Sequence, residues 1–269
     1  MSISIAIAGI DGIVLATDSR VTVKNENIGM LTYRDVGKKL WVLKKGEIVA
    51  GLTTVSTNRG LQEWLVNHYI NEELPSLPNR RSKDSKAEKE KPSFAIDSFD
   101  MLTLHFSNYL KGWINNYVTG MPQQFVSREG FTLGFTLAGY DAHHKPQIHF
   151  LHSDTSFSPD LKQDYVVSGI PFVCEYWMLK LWKNLFGGER SAPIPKAKMK
   201  TLKRLAVMLI RETAKFNSIA VGGKIQMIII GKDGKLGQIG QREIRQIESH
   251  AAKITNEDAI FNSMATEIA

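Results

Sequence analysis

Ser2 carries the most suggestive chemistry in this chain, because its hydroxyl stands beside what becomes an α-amine once Met1 is removed. A serine hydroxyl is a poor nucleophile unless a base takes its proton. A free α-amine has an unperturbed pKa of about 7.7–8.0, close to working pH, and is suited to be that base. Serine is small enough for ordinary methionine removal, so we expect no propeptide to be needed. The plainer alternative is a start residue followed by an ordinary strand residue.

The residues after Ser2 predict a β-hairpin that would hold this position still. Two β-rich runs flank the dipeptide Asp11-Gly12, a strong short-range signal for a hairpin. Alternation puts Asp18 and Arg20 on one face at the end of the second run, and it groups three apolar residues of the first run, Ile3, Ile5 and Ile7. Termini usually fray, but one that opens directly into a buried strand has its amine in a fixed place.

The remaining pattern predicts blocks of strands and helices. Strands are predicted at 38–43, 47–52, 131–139, 147–153, 165–167 and 224–230, with a short last strand after a turn at Asp233-Gly234, and helices at 57–73, 98–118, from Pro171 onward and at 195–216. Segregated blocks of this kind favour stacked layers over alternating βαβ units.

Several short motifs, in the right order, resemble those of proteasome β-type subunits, which are N-terminal-nucleophile hydrolases. The motifs are Asp11–Arg20, Gly37–Leu40, Val49–Leu52, Leu137–Asp141, Val167–Phe172, Val221–Gly223 and Lys232–Gly234. The resemblance runs from about Ser2 to Ile239 and implies a divergent prokaryotic, proteasome-like member of that family. It implies an α+β fold, a four-layer αββα sandwich of two antiparallel sheets flanked by helices. We expect a single domain over residues 2–240 and a C-terminal tail over 241–269.

The resemblance also implies a catalytic set. Ser2 matches the nucleophile, usually threonine in the family, and would cleave peptide bonds through an acyl-enzyme. Lys39 matches a lysine whose ammonium would favour the neutral amine, and Asp18 would pair with Lys39 and orient it. Gly51 matches the glycine whose backbone N–H stabilises the oxyanion, and Ser168 matches a supporting serine. The plainer alternative for Lys39 is a solvated lysine beside Lys38 at a strand entrance, and Gly51 has a structural alternative too.

The substrate-binding positions implied in the same way are Arg20, Thr22 and Thr53, and for Thr22 a purely structural role is the alternative. The chain departs from the family pattern before its paired glycines. Where the family carries an aspartate and, three residues on, a serine, this chain has Ser218 and Val221.

Composition excludes several other function classes. The chain has 269 residues, of which 43% are hydrophobic and 23% charged, as in ordinary globular proteins. It has no apolar run of about eighteen residues and no basic signal region, so we expect no membrane segment. The net charge of +7 comes without a nucleic-acid-binding motif, so we expect no nucleic-acid partner. One cysteine, Cys174, suits a reducing compartment and predicts a cytoplasmic protein.

We expect no cofactor, because the sequence has no phosphate-binding glycine loop. We expect no metal either, because the adjacent His143 and His144 lack a second set of ligands. Cys174 lacks a histidine partner and is predicted to be a core residue.

Residues 76–92 are polar and of mixed charge, so we expect a mobile insertion between two helices. The expected partners are a peptide or unfolded protein as substrate and further copies of the chain in a ring. No feature of the sequence identifies an ATPase partner. Two alternatives stay open, a catalytically silent structural subunit and an amidase or acyl-transfer enzyme of the same fold.

Overall fold

The structure is a computed structural model that describes residues 2–25, 30–77, 96–120, 132–162, 164–170, 174 and 197–252. Its strands are β1 (Ile3–Ala8), β2 (Gly12–Thr17), β3 (Val21–Asn25), β4 (Met30–Arg34), β5 (Leu40–Lys45), β6 (Ile48–Ser56), β7 (Leu133–Tyr140), β8 (Pro146–His152), β9 (Asp160–Lys162), β10 (Tyr165–Gly169), β11 (Gln226–Gly231) and β12 (Leu236–Gln238). Its helices are α1 (Arg59–His68), extended by a π-helical turn (Tyr69–Glu73) and a short turn (Leu74–Ser76), then α2 (Phe99–Gly120), α3 (Met199–Phe216) and α4 (Gln241–Ala252), with a 3-10 turn at Ser153–Thr155.

The first sheet is antiparallel and has the order β10-β1-β2-β11-β12. The hairpin predicted after Ser2 forms its centre, with Ser4 opposite Thr17. On the other side of β1, Gly169 of β10 lies opposite Ile3. Because β1 has a neighbour on each side, its first residues do not fray as an edge strand or a free terminus would.

Alternation along β1 and β2 decides what each face of this sheet packs against. Ile3, Ile5 and Ile7 are fully buried in a cluster with apolar residues of α3. The opposite face turns Ala6 and Leu15 toward the second sheet, where they meet small and branched side chains. Fully burying one isoleucine side chain contributes about 1.5–3 kcal/mol, so these strands are held firmly between two apolar layers.

The second sheet has the order β5-β6-β7-β8-β9, and α1 and α2 cover its outer face. Tyr69, Phe106 and Phe135 form the centre of that helix–sheet core. With α3 and α4 outside the first sheet, the layers are helices, sheet, sheet, helices. This confirms the predicted four-layer αββα sandwich.

Three features differ from the sequence-based expectation. Outside the strands predicted from the sequence, β3 and β4 form a separate two-stranded ribbon, while β5 and β6 open the second sheet. β9 was not predicted. The predicted tail begins with α4, whose Ile244 is buried against the α3 core. Ion pairs Lys203–Glu243 and Arg211–Glu248 also join these two helices.

Two predicted segments lie wholly or largely outside the described residues. They are the insertion at 76–92, beyond residue 77, and the helix after Pro171, of which only Cys174 is described. Among the helices that are described, none is long and apolar enough to span a membrane.

Candidate active site

The main chain of Ser2 is fixed by three neighbours at the head of β1. Its carbonyl oxygen accepts a hydrogen bond from the Ile170 N–H at 3.1 Å, and the next N–H, of Ile3, donates to Asp18 Oδ1 at 3.2 Å. Gly169 lies against the same carbonyl with φ of 98°, a conformation that side chains rarely adopt. A Cβ on Gly169 would lie 2.7 Å from the Ser2 carbonyl carbon and nearer still to its oxygen. Glycine at this position lets β10 close onto Ser2.

Asp18 follows the last residue of β2 and is fully buried. Its Oδ1 accepts hydrogen bonds from the Ile3 N–H and, at 2.8 Å, from Lys39 Nζ. Its Oδ2 accepts from the N–H groups of Arg20 and Gly222, each at 3.1 Å. A buried carboxylate is tolerated when it is paired and hydrogen-bonded, and here four donors surround it. Asp18 therefore connects the strand that carries Ser2 to the Lys39 ammonium.

Lys39 is buried, with 5% of its surface exposed, and its Nζ also donates to the Arg20 carbonyl oxygen. Burial lowers the pKa of the Lys39 ammonium, Asp18 opposes that change through its charge and hydrogen bond, and the charge of Arg59 lowers the pKa to a smaller extent. Lys38, by contrast, is exposed and lies 5.6 Å from the centre of the Trp41 ring. The solvated-pair alternative therefore describes Lys38 but not Lys39. Gln226, which the sequence analysis missed, accepts the Lys39 backbone N–H at 3.1 Å and fixes this loop.

Arg20 has a carboxylate partner that the sequence did not reveal. Its Nε and Nη2 donate to the two oxygens of Asp35 at 2.7 and 2.8 Å. The hydrogen bond from Arg20 lowers the pKa of Asp35, although burial opposes the change. Arg20 Nη1 also donates to the main-chain oxygen of Ser218, where the family pattern would place an aspartate. Asp35 is therefore the carboxylate beside Arg20, and Ser218 contributes only a main-chain oxygen.

The paired glycines make room for this arrangement. A Cβ on Gly222 would lie 2.6 Å from the guanidinium carbon of Arg20. Gly223 has φ of 73° and lies close to Ser19 and Asp35. Side chains at either position would force Arg20 or Asp35 out of the pair.

Ser2 lies at the edge of a pocket of about 50 Å³. Residues of β3, the β5 entrance, β6 and α1 line it, among them Arg20, Thr22, Lys39, Thr54, Arg59 and Gln62. The structure therefore brings the predicted positions Arg20, Thr22 and Lys39 together at Ser2. Thr53, the third predicted substrate-binding residue, does not line the pocket. It is fully buried behind it, and its Oγ1 accepts a hydrogen bond from the Ser4 hydroxyl. The neighbouring Thr54 lines the pocket instead, because adjacent residues of a strand point to opposite faces.

Gly51 also lies away from Ser2, and the prediction that its N–H stabilises an oxyanion there is corrected. Gly51 sits in the middle of β6, paired with Val42 and Ala138, and a Cβ on it would lie 2.8 Å from Leu15. Leu15 lies opposite Ala6, four residues from Ser2 and therefore roughly 13 Å along the strand. The resemblance implies that Gly51 lies at the end of its strand, directly before the first helix. β6 instead continues to Ser56, so Gly51 lies in the middle of the strand and away from Ser2.

Ser168 lies opposite Ser4 in the β1–β10 pair, on the same face as Ser2. Its Oγ is buried and has no hydrogen-bond partner among the described residues. A buried hydroxyl is seldom left unpaired, so this oxygen is available to a group at the head of β1.

The weaker candidates lie elsewhere. Cys174 is buried in the α3 core, with its Sγ 3.4 Å from Thr213 Oγ1. His143 belongs to a turn closed by Asp141, whose Oδ1 accepts its N–H at 2.8 Å. No group of three metal-ligating side chains occurs within the described part of the chain.

Solved structures with this fold include several of Anbu, described in one case as an ancestral beta-subunit. Anbu from Yersinia bercovieri matches with a TM-score of 0.61 at 12% identity, over 93% of each chain. An Anbu mutant from Hyphomicrobium sp. strain MC1 matches with 0.62 at 15% identity, over 94% of this chain and 95% of the other. Anbu from Pseudomonas aeruginosa, in a helical assembly, matches with a TM-score of 0.62 at 14% identity, over 93% of this chain and 94% of the other. No family model and no curated protein match the sequence.

These comparisons correct the assignment to the proteasome β-type subunits. The matching structures named above are Anbu proteins, and no family model supports membership of the β-type family. At 12–15% identity the matches establish that the chain shares the fold of these Anbu structures, and they establish nothing beyond the fold.

Proposed function

We propose that the protein is an N-terminal-serine peptidase that cleaves peptide bonds through Ser2 after Met1 has been removed. The observation that carries the proposal is the buried Lys39–Asp18 pair. One oxygen of Asp18 accepts hydrogen bonds both from Lys39 and from the N–H of Ile3, the residue next to Ser2. A buried ammonium is costly, and a stable core would be simpler without it. A lysine held there makes chemical sense if its charge acts on a neighbouring ionisable group.

In the proposed first step, the Ser2 α-amine takes the proton from the Ser2 hydroxyl as Oγ attacks the substrate carbonyl carbon. The positive charge of Lys39 keeps the amine neutral and thus available as a base. The tetrahedral intermediate then collapses, the Ser2 ammonium protonates the leaving amine, and an ester to Ser2 Oγ remains. The same amine activates a water molecule that hydrolyses the ester. The unpaired Ser168 hydroxyl is the side chain we assign to orienting the amine.

The oxyanion donor needs a location other than Gly51, and we assign it to the end of β6. The last pair between β5 and β6 is Leu40 with Thr53. Residues 54–56 pair only with β7 within the described chain, so their main-chain groups on the β5 side have no strand partner there. Such groups can pair with an extended substrate and stabilise a developing oxyanion beside Ser2.

We further propose that the protein is cytoplasmic and assembles with copies of itself. The related Pseudomonas protein is described as a helical assembly, so an open helix competes with the closed ring expected from the sequence. Tyr33, Val36 and Ile219 are exposed apolar residues, and their elements adjoin Arg20 and Thr22 at the pocket. Apolar surface of this kind commonly marks a protein interface.

Turnover of a broad fluorogenic peptide library by Ser2 variants tests the proposal. Ser2→Ala should abolish turnover, and Ser2→Thr should retain it because hydroxyl and amine both survive. Ser4→Ala is the matched control, since it removes a hydroxyl two residues away on the same face and should leave turnover intact. Undiminished hydrolysis by Ser2→Ala would refute the mechanism. A parent protein that keeps Met1 and cleaves nothing would favour the silent structural subunit, and cleavage of small amides alone would favour an amidase.

A further inference from the structure

Two buried polar groups in the pocket beside Ser2 have no hydrogen-bond partner among the described residues. They are Thr54 Oγ1 and Gln62 Nε2, on residues with only 1% and 4% of their surface exposed. Leaving buried polar atoms unsatisfied is costly, so native proteins do so rarely. Both residues line the pocket. A ligand group that enters it can therefore satisfy both.

Arg59 indicates that the ligand group is negatively charged. A threonine hydroxyl or a glutamine amide can donate or accept, whereas a guanidinium only donates. The other two cations of the pocket have close carboxylate partners, Arg20 at 2.7 Å and Lys39 at 2.8 Å. Arg59 has only a loose contact, with Nε and Nη2 each 3.4 Å from one oxygen of the part-exposed Glu63. Its donors are the least satisfied of the three.

The local backbone adds to the positive potential. Arg59 is the first residue of α1, whose N-terminus carries a partial positive charge, and no acidic residue lies in the first turn. A cation at this end of a helix is unfavourable for the helix dipole, and the loose, part-exposed i,i+4 contact with Glu63 offsets that only weakly. None of the described pocket-lining residues is an aspartate or glutamate. The pocket is therefore built to attract an anion.

We infer that this pocket selects an acidic side chain, glutamate or aspartate, on the substrate residue next to the cleaved bond. The carboxylate accepts hydrogen bonds from Arg59, Gln62 and Thr54. The pocket volume of about 50 Å³ exceeds several-fold what one water molecule requires, so a carboxylate fits. The inference rests on the proposed function, because it places the substrate's scissile bond at Ser2.

Binding and cleavage are measured separately so that the two proposals can fail independently. Fluorescent acetylated peptide amides, identical except for Glu, Gln, Leu or Lys as the last residue, are titrated by anisotropy. The same peptides with a fluorogenic amide give kcat/KM. We expect Glu to exceed Gln by about tenfold in both assays, because hydrogen bonds to a charged group are roughly twice as strong, and Lys to be the poorest.

Arg59→Gln should remove the preference of Glu over Gln, and Arg59→Glu should reverse it toward Lys. Lys232→Glu is the matched control, because it makes the same charge change at the Asp11 turn, at the other end of β1. It should leave the order of peptides unchanged. Neither arginine substitution should prevent folding, since the side chain lies at a helix end; Tm values check this.

Every combination of results is decisive. A glutamate preference in binding that depends on Arg59, without cleavage of any peptide, supports the pocket assignment and refutes the peptidase. Cleavage through Ser2 without a glutamate preference refutes the pocket assignment alone. A preference for Glu that survives in Arg59→Gln also refutes it, because another cation would then be responsible.

Discussion

Gly169→Ala tests whether the closure of β10 onto Ser2 positions the reacting group. The backbone at Gly169 has φ of 98°, and an L-residue in a left-handed conformation costs about 1–2 kcal/mol. The new Cβ would also lie 2.7 Å from the Ser2 carbonyl carbon, whereas ordinary contacts begin at 3.4 Å. Ser2 must then retreat, and a shift of about 1 Å in a reacting group costs on the order of 100-fold in rate.

Gly234→Ala is the control that separates strain from displacement. Gly234 has φ of 75°, and a Cβ there would meet nothing within 4 Å. It should lower Tm by a few degrees, since about 1 kcal/mol shifts Tm by roughly 2–4 °C in a chain of this size. Its kcat/KM should stay at the parental value.

Thermal unfolding and kcat/KM on a fluorogenic peptide measure the two effects. Gly169→Ala should lose more Tm than the control and about 100-fold in kcat/KM. If the two variants lose the same Tm and both keep parental kcat/KM, then Gly169 does not position Ser2 and the reasoning is wrong.

Three further predictions concern the charges around Ser2. Lys39→Ala and Asp18→Asn should each nearly abolish kcat and lower Tm, because each breaks the same buried ion pair, at a cost of about 3–5 kcal/mol; a folded Lys39→Ala variant that stays active would contradict the mechanism. The profile of kcat/KM against pH should be bell-shaped. Activity should rise as the Ser2 amine deprotonates, with a pKa below about 7.7–8.0 because of the Lys39 charge, and should fall as Lys39 deprotonates with a pKa below its usual 10.5. A profile that still rises at pH 10.5 would exclude a charged Lys39 from the step. Asp35→Asn removes the counter-charge of Arg20 and one of its two acceptor oxygens, so KM for the glutamate peptide should fall, whereas Asp233→Asn, which breaks an exposed pair with Lys235, should leave KM unchanged; equal KM values for the two variants would contradict a role for Asp35.

The elements nearest Ser2 could be predicted because they are local. The hairpin follows from alternation and an Asp-Gly turn, and burial of Ile3, Ile5 and Ile7 on one face follows from period two. The position of Gly51 could not be predicted, because short motifs do not say where a strand ends. β6 extends four residues past the predicted Leu52, and that extension moves Thr54 rather than Gly51 or Thr53 to the pocket.

Contacts between distant parts of the chain could not be predicted from the sequence either. Asp35 meets Arg20 only because the β3–β4 ribbon folds back on itself, and Gln226 reaches the Lys39 loop from a strand near the other end of the chain. Such pairs leave no periodic pattern. The helix α4 was missed because only Ile244 and Ile247 mark its apolar side in an otherwise polar segment.

Mass spectrometry of the protein after reaction with a peptide-based electrophile tests the central claim most directly. The account predicts one adduct per chain, located on Ser2 by peptide mapping, only on molecules that have lost Met1, and absent from Ser2→Ala. An adduct on molecules that retain Met1, or one that maps to Cys174 instead, would contradict it.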